Sequence, residues 1–431
     1  MTDGAPKPPQ ITPQITPQIT PQTLRGTRDL LPGECKKFRF IENQAAKIAG
    51  LYGFEEIETP IIEPAAVFKR SLGDTSDIVS KQMYLFKDLG GDEIVLRPEG
   101  TAGVARAFIN EGLSQHLPLK LLYRGPMFRY ERPQKGRYRQ FYQVGTEILG
   151  VEKPQADVEL ILLAQQFLKS LPLEGEIRLH LNTIGDSESR ANFREKLVKY
   201  LETRKDELSQ DSLERLYRNP LRILDSKDEA DRRVVAEAPS LADSLNETSR
   251  AFFSSVQEGL RQQGIEPYID PLLVRGLDYY CHTVFEFTSN AMGSQNAVLA
   301  GGRYDNLISD LGGPKTPGVG WGCGIDRLVL MLKDLPSGNQ PVAIVPLGDD
   351  AEREACKLAQ ELRQTGISCD LGFSGNMGKR MKRADKIGAK CAVILGSDEL
   401  AKGIVQVKWL ASGTQTEIKR EDLLQHLSAT K

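Results

Sequence analysis

Four glycines at alternate positions, Gly318, Gly320, Gly322 and Gly324, constrain this 431-residue chain more than any other run. Val319, Trp321, Cys323 and Ile325 stand between and after them. Successive residues of a strand point to opposite faces, so the run predicts a strand over 317–324 with one bare face and one apolar face. Glycine weakens a strand, and its repeated use there marks close approach by a ligand. A flat purine suits such a floor. A helix is expected from Asp326 to Leu332, with Arg327 in its first turn, placed to meet polyphosphate. The run is not a G-x-x-x-x-G-K-[ST] phosphate loop, nor the G-x-G-x-x-G of a dinucleotide-binding βαβ unit.

The densest polar signal lies at 123–141. Six basic residues (Arg124, Arg129, Arg132, Lys135, Arg137 and Arg139) face a single acid, Glu131. Arginine offers planar, bidentate donors suited to phosphate. The aromatics between them can stack on a base. Strands at 119–129 and 138–149 are expected to flank this basic loop. Arg139, Gln143 and Glu147 then share strand parity, beside Gly145, which has no side chain to obstruct. One face would carry a cation, an amide and a carboxylate, enough to grip a zwitterionic, nucleotide-activated substrate.

Three further runs carry chemistry. In Leu96-Arg97-Pro98-Glu99-Gly100-Thr101, Glu99 and Thr101 offer acceptors for an ammonium at a loop-to-helix junction, where a carboxylate also serves as a helix cap. Residues 273–288 read as a strand containing Arg275-Gly276-Leu277-Asp278-Tyr279-Tyr280, in which Arg275 and Tyr280 have opposite parity. Residues 378–390 hold six basic residues against one acid, a backbone-binding patch for RNA or a solvated helix face.

Composition limits the partners. Lys+Arg is 56 and Asp+Glu 58, a formal net charge of −2, so any RNA or phosphate binding must come from local patches. No run of about 18 apolar residues exists, so no membrane span is expected. An apolar h-region is also missing near the start, so no secretory signal is expected. The six cysteines form no C-x-x-C pair, and the four histidines are scattered, which leaves no zinc spacing and points to free thiols in a reducing cytoplasm.

Along the chain, residues 1–22 repeat Gln-Ile-Thr-Pro, and proline at every fourth position opposes both helix and sheet. An amphipathic helix is predicted at 34–52 and an edge strand from Phe54 to Ile62, with Pro60 inside it. A helix is expected at 155–170 and a charge-rich helical insertion at about 186–263. A turn-rich linker at 336–339 precedes alternating strands and helices (341–347, 350–365, 367–371, 376–388, 391–396), a hairpin of 404–409 with 414–418, and a last helix from 420. Such alternation argues a small α/β domain.

Together these segments closely resemble the histidyl-tRNA synthetases, class II aminoacyl-tRNA synthetases, from Arg25-Gly26-Thr27-Arg28-Asp29 to the C-terminal domain. The strand ending at Pro60 is similar to motif 1, residues 124–147 to motif 2 and residues 318–330 to motif 3. Arg275–Tyr280 and Gly301-Gly302-Arg303-Tyr304-Asp305 match the two histidine-specific motifs. The resemblance implies an α+β fold: a six-stranded antiparallel catalytic sheet flanked by helices within residues 23–336, and a C-terminal anticodon-binding α/β domain over 337–431. It implies a cytoplasmic homodimer that charges tRNA(His) with L-histidine through a histidyl-adenylate, using ATP and Mg²⁺. Arg129 and Arg275 would hold the α-phosphate from opposite sides and Arg327 the γ-phosphate, with Arg139 and Gly322 also at the nucleotide. Glu99, Thr101 and Gln143 would hold the α-ammonium, Glu147 and Tyr280 the imidazole, and Tyr279 and Tyr304 would complete the pocket. Arg132 and Gln134 would meet the tRNA acceptor end. A non-catalytic regulatory subunit of ATP phosphoribosyltransferase is the competing reading within this resemblance.

Overall fold

The computed structural model describes residues 21–73, 76, 78–275, 277–292, 297–333, 335 and 340–429. The Gln-Ile-Thr-Pro repeats up to Thr20, Gly276 and the 336–339 linker lie outside the described residues. The chain forms two compact units, Met1–Asp334 and Leu335–Lys431.

In the first unit, helix α1 (Pro32–Leu51) starts on a proline at its first position, where no backbone donor is lost, and buries Phe38, Ile41, Ala45, Ile48 and Ala49. There follow β1 (Glu55–Glu56), β2 (Ile62–Pro64), α2 (Ala65–Leu72), β3 (Tyr84–Lys87), β4 (Glu93–Leu96) and α3 (Thr101–Asn110). The hairpin β5 (Leu119–Phe128) and β6 (Gln140–Leu149) leads to α4 (Gln155–Lys169) and β7 (Ile177–Thr183). Four helices come next: α5 (Ser187–Thr203), α6 (Gln210–Arg215), α7 (Glu229–Val235) and α8 (Glu247–Gln262). The unit closes with β8 (Tyr268–Ile269), β9 (Cys281–Ser289), β10 (Ala297–Arg303), α9 (Leu307–Asp310), β11 (Gly318–Gly324) and α10 (Ile325–Met331).

These strands make an eight-stranded sheet of order β1-β5-β6-β11-β10-β9-β7-β8 and a three-stranded sheet β2-β4-β3. The six inner strands are antiparallel throughout. The expected count of six grows to eight because two-residue strands pair in parallel at each edge. The predicted strand from Phe54 to Ile62 survives as β1, at the edge, and as Ile62, which opens β2. Between the two the backbone turns to serve Arg97, whose Nη1 donates to the Thr59 carbonyl (2.7 Å) and whose backbone N–H donates to the Ile61 carbonyl (2.9 Å).

A second correction concerns 273–288. Only Cys281 onward is strand; Asp270 turns the preceding chain, its carboxylate and carbonyl taking the Leu272 and Leu273 N–H groups at 3.1 and 3.0 Å. The parity conflict between Arg275 and Tyr280 therefore disappears, because neither residue lies in a strand.

The apolar face of β11 packs on α4, with Trp321 stacked on Phe167 at 5.9 Å between ring centroids. That seals one side of the sheet and leaves the glycine face for chemistry. The second unit alternates as α/β: β12 (Val342–Pro346), α11 (Asp349–Gln364), β13 (Cys369–Leu371), α12 (Met377–Lys386), β14 (Cys391–Leu395), α13 (Ser397–Lys402), β15 (Ile404–Trp409), β16 (Gln415–Lys419) and α14 (Leu423–Ala429). Its sheet has the order β13-β12-β14-β15-β16. Val342, Ile344, Val393 and Leu395 face a core shared with Ala355 and Leu358 of α11, whereas Ala343, Val345, Ala392 and Ile394 face one shared with Ala384 of α12. Period-two alternation buried on both faces is what helices on both sides of a sheet demand.

Candidate active site on the glycine face

Register builds the site row by row. In β6 and β11, Glu147 lies opposite Gly320, Gly145 opposite Gly322 and Gln143 opposite Gly324. One strand further, Gly302 of β10 faces Gly320, and Ala300 faces Gly322. Glu286 of β9 pairs with Ala300, so it joins the same row.

At one end of this floor the chain fills its own glycine gaps. A Cβ on Gly320 would stand 1.5 Å from Glu147 Oε2, and one on Gly318 would stand 2.2 Å from the Tyr304 ring. Glu147 is fully buried. Its Oε1 accepts a hydrogen bond from Thr101 Oγ1 (2.7 Å), and its Oε2 accepts one from the Tyr304 hydroxyl. Burial pushes this carboxyl up to about 8, against the pull of the two hydroxyls. The Tyr280 ring covers Gly302, where a Cβ would come within 2.9 Å of it. Tyr279 leans on Tyr280 (4.6 Å between centroids) and meets Tyr304 edge-on (5.6 Å).

Glu99 is nearly buried and its two oxygens take the backbone N–H groups of Thr101 (2.7 Å) and Ala102 (2.8 Å) at the start of α3. It is therefore a helix cap in this structure. Each carboxylate oxygen can accept a second bond, so an ammonium partner still fits. Gln143 Oε1 and the Tyr279 hydroxyl are among the buried polar atoms that lack hydrogen bonds of good geometry among the described residues. An acceptor orphaned on the floor of a pocket calls for a donor from a ligand.

Two expectations are corrected here. Gly145 is not open floor: the Tyr123 ring lies over it, and a Cβ there would be 2.3 Å from the hydroxyl. Gly100 lies against the same ring, at 2.1 Å. Arg139 does not share the face of Gln143 and Glu147. It precedes β6, its N–H bonds the Gly26 carbonyl (2.7 Å), and its guanidinium stacks on Tyr130 at 3.8 Å from the ring centre.

The other end of the floor stays open. Among the described residues, Gly322 meets only Gln143 Nε2 and the Tyr123 hydroxyl at ordinary contact distance, and nothing lies within 4 Å of a Cβ on Gly324. Cations stand around this end. Arg129 donates from Nε to the Pro98 carbonyl (2.8 Å) and lies over Phe141. Arg327, in the first turn of α10, bonds the Ala297 carbonyl, and burial together with the neighbouring Arg137 lowers its proton affinity. Arg275 pairs with Glu286. Arg132 and Gln134 are exposed in the loop between β5 and β6, where the turn at Gly136 (φ +75°) rests on Leu330 and Arg327.

Sequence reasoning missed Tyr123 as a wall and Glu286 as the partner of Arg275. The first was hidden because its space is two glycines on other segments. The second left a signal, the one acid of β9, set between Phe285 and Phe287. No cluster of three or more metal-ligating side chains occurs among the described residues.

Known proteins share this architecture. The sequence matches the family described as Histidyl-tRNA synthetase over residues 26–328, and the family described as Anticodon binding domain over residues 341–430. A relative named Histidine--tRNA ligase from Rhodospirillum rubrum is 58% identical over 92% of this chain and 95% of its own. One of the same name from Gluconacetobacter diazotrophicus is 49% identical over 94% of this chain and 98% of its own. The crystal structure of apo Staphylococcus aureus histidyl-tRNA synthetase superposes with a TM-score of 0.79 at 36% identity, covering 94% of this chain and 99% of that one. With those matches and this glycine-floored pocket, the chain belongs to the histidyl-tRNA synthetase family.

Proposed function

We propose that the protein attaches L-histidine to tRNA(His) in two steps. The histidine carboxylate attacks the ATP α-phosphorus, forming a mixed anhydride and expelling pyrophosphate. The terminal 3′-hydroxyl of tRNA then attacks the activated carbonyl and AMP leaves. The observation that carries this reading is the divided glycine floor. Its closed end holds a hydroxyl-bracketed carboxylate, Glu147, beside Tyr280, suited to an imidazole. Its open end, Gly322 and Gly324, is ringed by arginines suited to a nucleoside triphosphate.

In this reading Glu99, Thr101 and the orphaned Gln143 Oε1 receive the α-ammonium. Glu147 and Tyr280 take the two imidazole nitrogens, with Tyr279 and Tyr304 as walls. Arg129 and Arg275 flank the α-phosphate, Arg327 holds the γ-phosphate, and Gly322 lies under the adenine. Arg139 serves the nucleotide through its place beside the loop rather than from the strand face. The substrate carboxylate is already ionised at neutral pH, so the first step needs fixed positive charge rather than a general base. Mg²⁺ would take most of its ligands from ATP and water, the chemistry of an ion that dehydrates reluctantly, with Glu131 and Glu286 the carboxylates whose charge Arg327 feels. Bound there, it would neutralise charge on the leaving pyrophosphate.

Arg132 and Gln134, exposed, would meet the acceptor end, and the second unit the anticodon. There the expected basic patch shrinks. Arg380 is buried, bonding the Pro346 carbonyl and Glu352, and Arg383 is paired with Asp370 by two contacts of 2.7 and 2.8 Å. Lys379, Lys382 and Lys386 remain exposed for RNA. A homodimer is supported by the exposed apolar side chains of the three-stranded sheet, Ile62, Leu85 and Phe86. No helix among the described residues is long and apolar enough to cross a membrane. The regulatory-subunit reading is not favoured, since the chain keeps Arg129, Arg275 and Arg327 and carries the anticodon-binding domain over residues 341–430. Histidine-dependent exchange of pyrophosphate into ATP tests the proposal; a chain that fails to exchange with histidine present is not this enzyme.

A further inference from the structure

Outside the glycine floor, a cavity of about 210 Å³ lies between α5, the 218–222 turn and the 274–280 segment. Its wall carries Arg190, Arg194, Arg218, Arg222 and Arg275, against one carboxylate, Asp278. Asp278 accepts a hydrogen bond from the Asn219 amide (2.8 Å), and its charge offsets one of the five guanidiniums. Arg190 donates to the carbonyls of Tyr280 (2.9 Å) and Asp278 (3.3 Å), and Arg194 to that of Tyr217 (2.6 Å). A carbonyl satisfies a donor but leaves its charge uncancelled. Arg222 has Asp225 at 3.2 Å and Arg275 has Glu286, while Arg218 is exposed. Like charges gathered around one void repel, and an anion in the void relieves them. Guanidiniums favour phosphate, whose oxygens match their paired donors. The wall also includes Tyr280, so the cavity opens beside the groups assigned to the reacting phosphate and the imidazole.

We propose that this cavity binds a phosphate group, supplied either by the acceptor strand of tRNA or by a free condensed phosphate. The proposal rests on the functional reading above only for the first of these sources. Arg190 links the site to catalysis: the guanidinium that would grip the phosphate also holds the carbonyl of Tyr280, so occupancy steadies the segment carrying Tyr279 and Tyr280.

The test uses the full chain with Arg194→Ala and Arg218→Ala combined, residues to which the functional reading assigns no role with histidine or ATP. Two readouts separate the sources. For an RNA phosphate, the KM for tRNA rises about tenfold, and the log–log salt dependence flattens by about 1.4 for two lost single-strand contacts. Histidine-dependent pyrophosphate exchange stays unchanged. For a free phosphate, the KM for tRNA holds, but the thermal stabilisation that inorganic tripolyphosphate gives the wild type is reduced in the variant. If neither readout moves, the cavity is not a phosphate site. Should exchange itself fall, the Arg194→Gln, Arg218→Gln pair, which keeps the side-chain length and removes the charge, decides. Restored exchange together with a wild-type tRNA KM, salt slope and tripolyphosphate shift overturns the proposal. A wild type that does not exchange sinks the functional reading instead, and the tripolyphosphate shift alone then judges the cavity.

Discussion

The two halves of β11 carry the same glycine alternation and meet different neighbours. At Gly318 and Gly320 the missing side chains are replaced by Tyr304 and Glu147 of the same chain. At Gly322 and Gly324 the space stays free. A glycine in a strand therefore reports that something must come close, and does not say whether that something is protein or ligand. On the proposed function, the closed half holds a carboxylate for the amino acid side chain and the open half is a platform for the nucleotide.

The comparison breaks most visibly at Gly320. A methyl group there would occupy the position of Glu147 Oε2, with the Thr146 carbonyl 2.8 Å away on the other side, so the carboxylate must leave its hydroxyl partners. Gly320→Ala should lower kcat/KM for histidine by more than about 10³, as sites built on paired polar groups do when the pairing is lost. Gly324→Ala, with nothing within 4 Å, should fold normally and raise only the KM for ATP. Steady-state exchange kinetics of the two variants, with thermal melts as a folding control, check this. Equal effects on histidine and ATP would erase the distinction between the halves.

The open half is sharpened at Arg275. Its guanidinium is paired with Glu286, on the row that includes Gly322. Removing a pre-organised cation beside a phosphate under attack costs about 10²–10³ in kcat. Arg275→Ala should show that loss in exchange with smaller changes in either KM, and lysine should rescue it only partly. Rapid-quench measurement of adenylate formation checks the step; a normal adenylation rate with slow transfer to tRNA would move Arg275 to the second reaction.

Much of this was legible in the chain, and the gaps have physical causes. The β5–β6 hairpin could be read because a basic loop separates two apolar runs, and β11 because period two is unmistakable in glycine. The strands β3 and β4 left little trace, since four-residue strands are held by distant partners rather than by their own pattern, whereas β7 does alternate, Ile177, Leu179 and Leu181 against Arg178, His180 and Asn182, a signal that went unused. Gly301 and Gly302 disguise β10 as a turn. A Cβ on Gly301 would strike the Gly320 carbonyl at 2.2 Å, so those glycines serve the packing of neighbouring strands. Glu147 was visible by parity, whereas Tyr123 over Gly145 was not, because a ring crossing from the next strand leaves no mark beside the glycine it covers.

The closed half also has a pH signature. Burial pushes the Glu147 carboxyl up to about 8, far above an ordinary carboxylate. A group raised in the folded state contributes stability that is fully present below its unfolded value near 4.5 and is lost as pH rises through about 8. Binding runs the other way. An imidazole N–H wants the ionised carboxylate, so below pH 8 neutral histidine must first drive a proton off. Affinity should rise about fivefold between pH 7 and 8, as the ionised fraction of a carboxyl at about 8 climbs from about a tenth to a half. Glu147→Gln should raise the KM for histidine and flatten this profile, while the KM for ATP shows neither change. Exchange assays across pH 6.5 to 8.5 decide it, and a histidine KM that is indifferent to Glu147→Gln removes this carboxylate from the pocket.

The smallest effect is expected in the second unit, where the same contrast between occupied and open groups recurs among the cations of α12. Arg380 is spent on Pro346 and Glu352 and Arg383 on Asp370, so their charges hold the fold. Lys379 and Lys382 are exposed. If RNA phosphate is their target, each removed charge should weaken tRNA binding by a few fold at moderate salt and lower the salt slope by less than one. Lys379→Ala with Lys382→Ala should therefore raise the KM for tRNA about three- to tenfold and leave both melting temperature and pyrophosphate exchange alone. Arg380→Ala should do the reverse, lowering the melting temperature because the Pro346 carbonyl and Glu352 lose a buried partner. Aminoacylation titrations at two salt concentrations, beside melts of both variants, separate the roles. A lysine pair that melts early, or an Arg380 variant that melts normally but binds tRNA poorly, would show that exposure does not sort the RNA-facing cations of this helix from its structural ones.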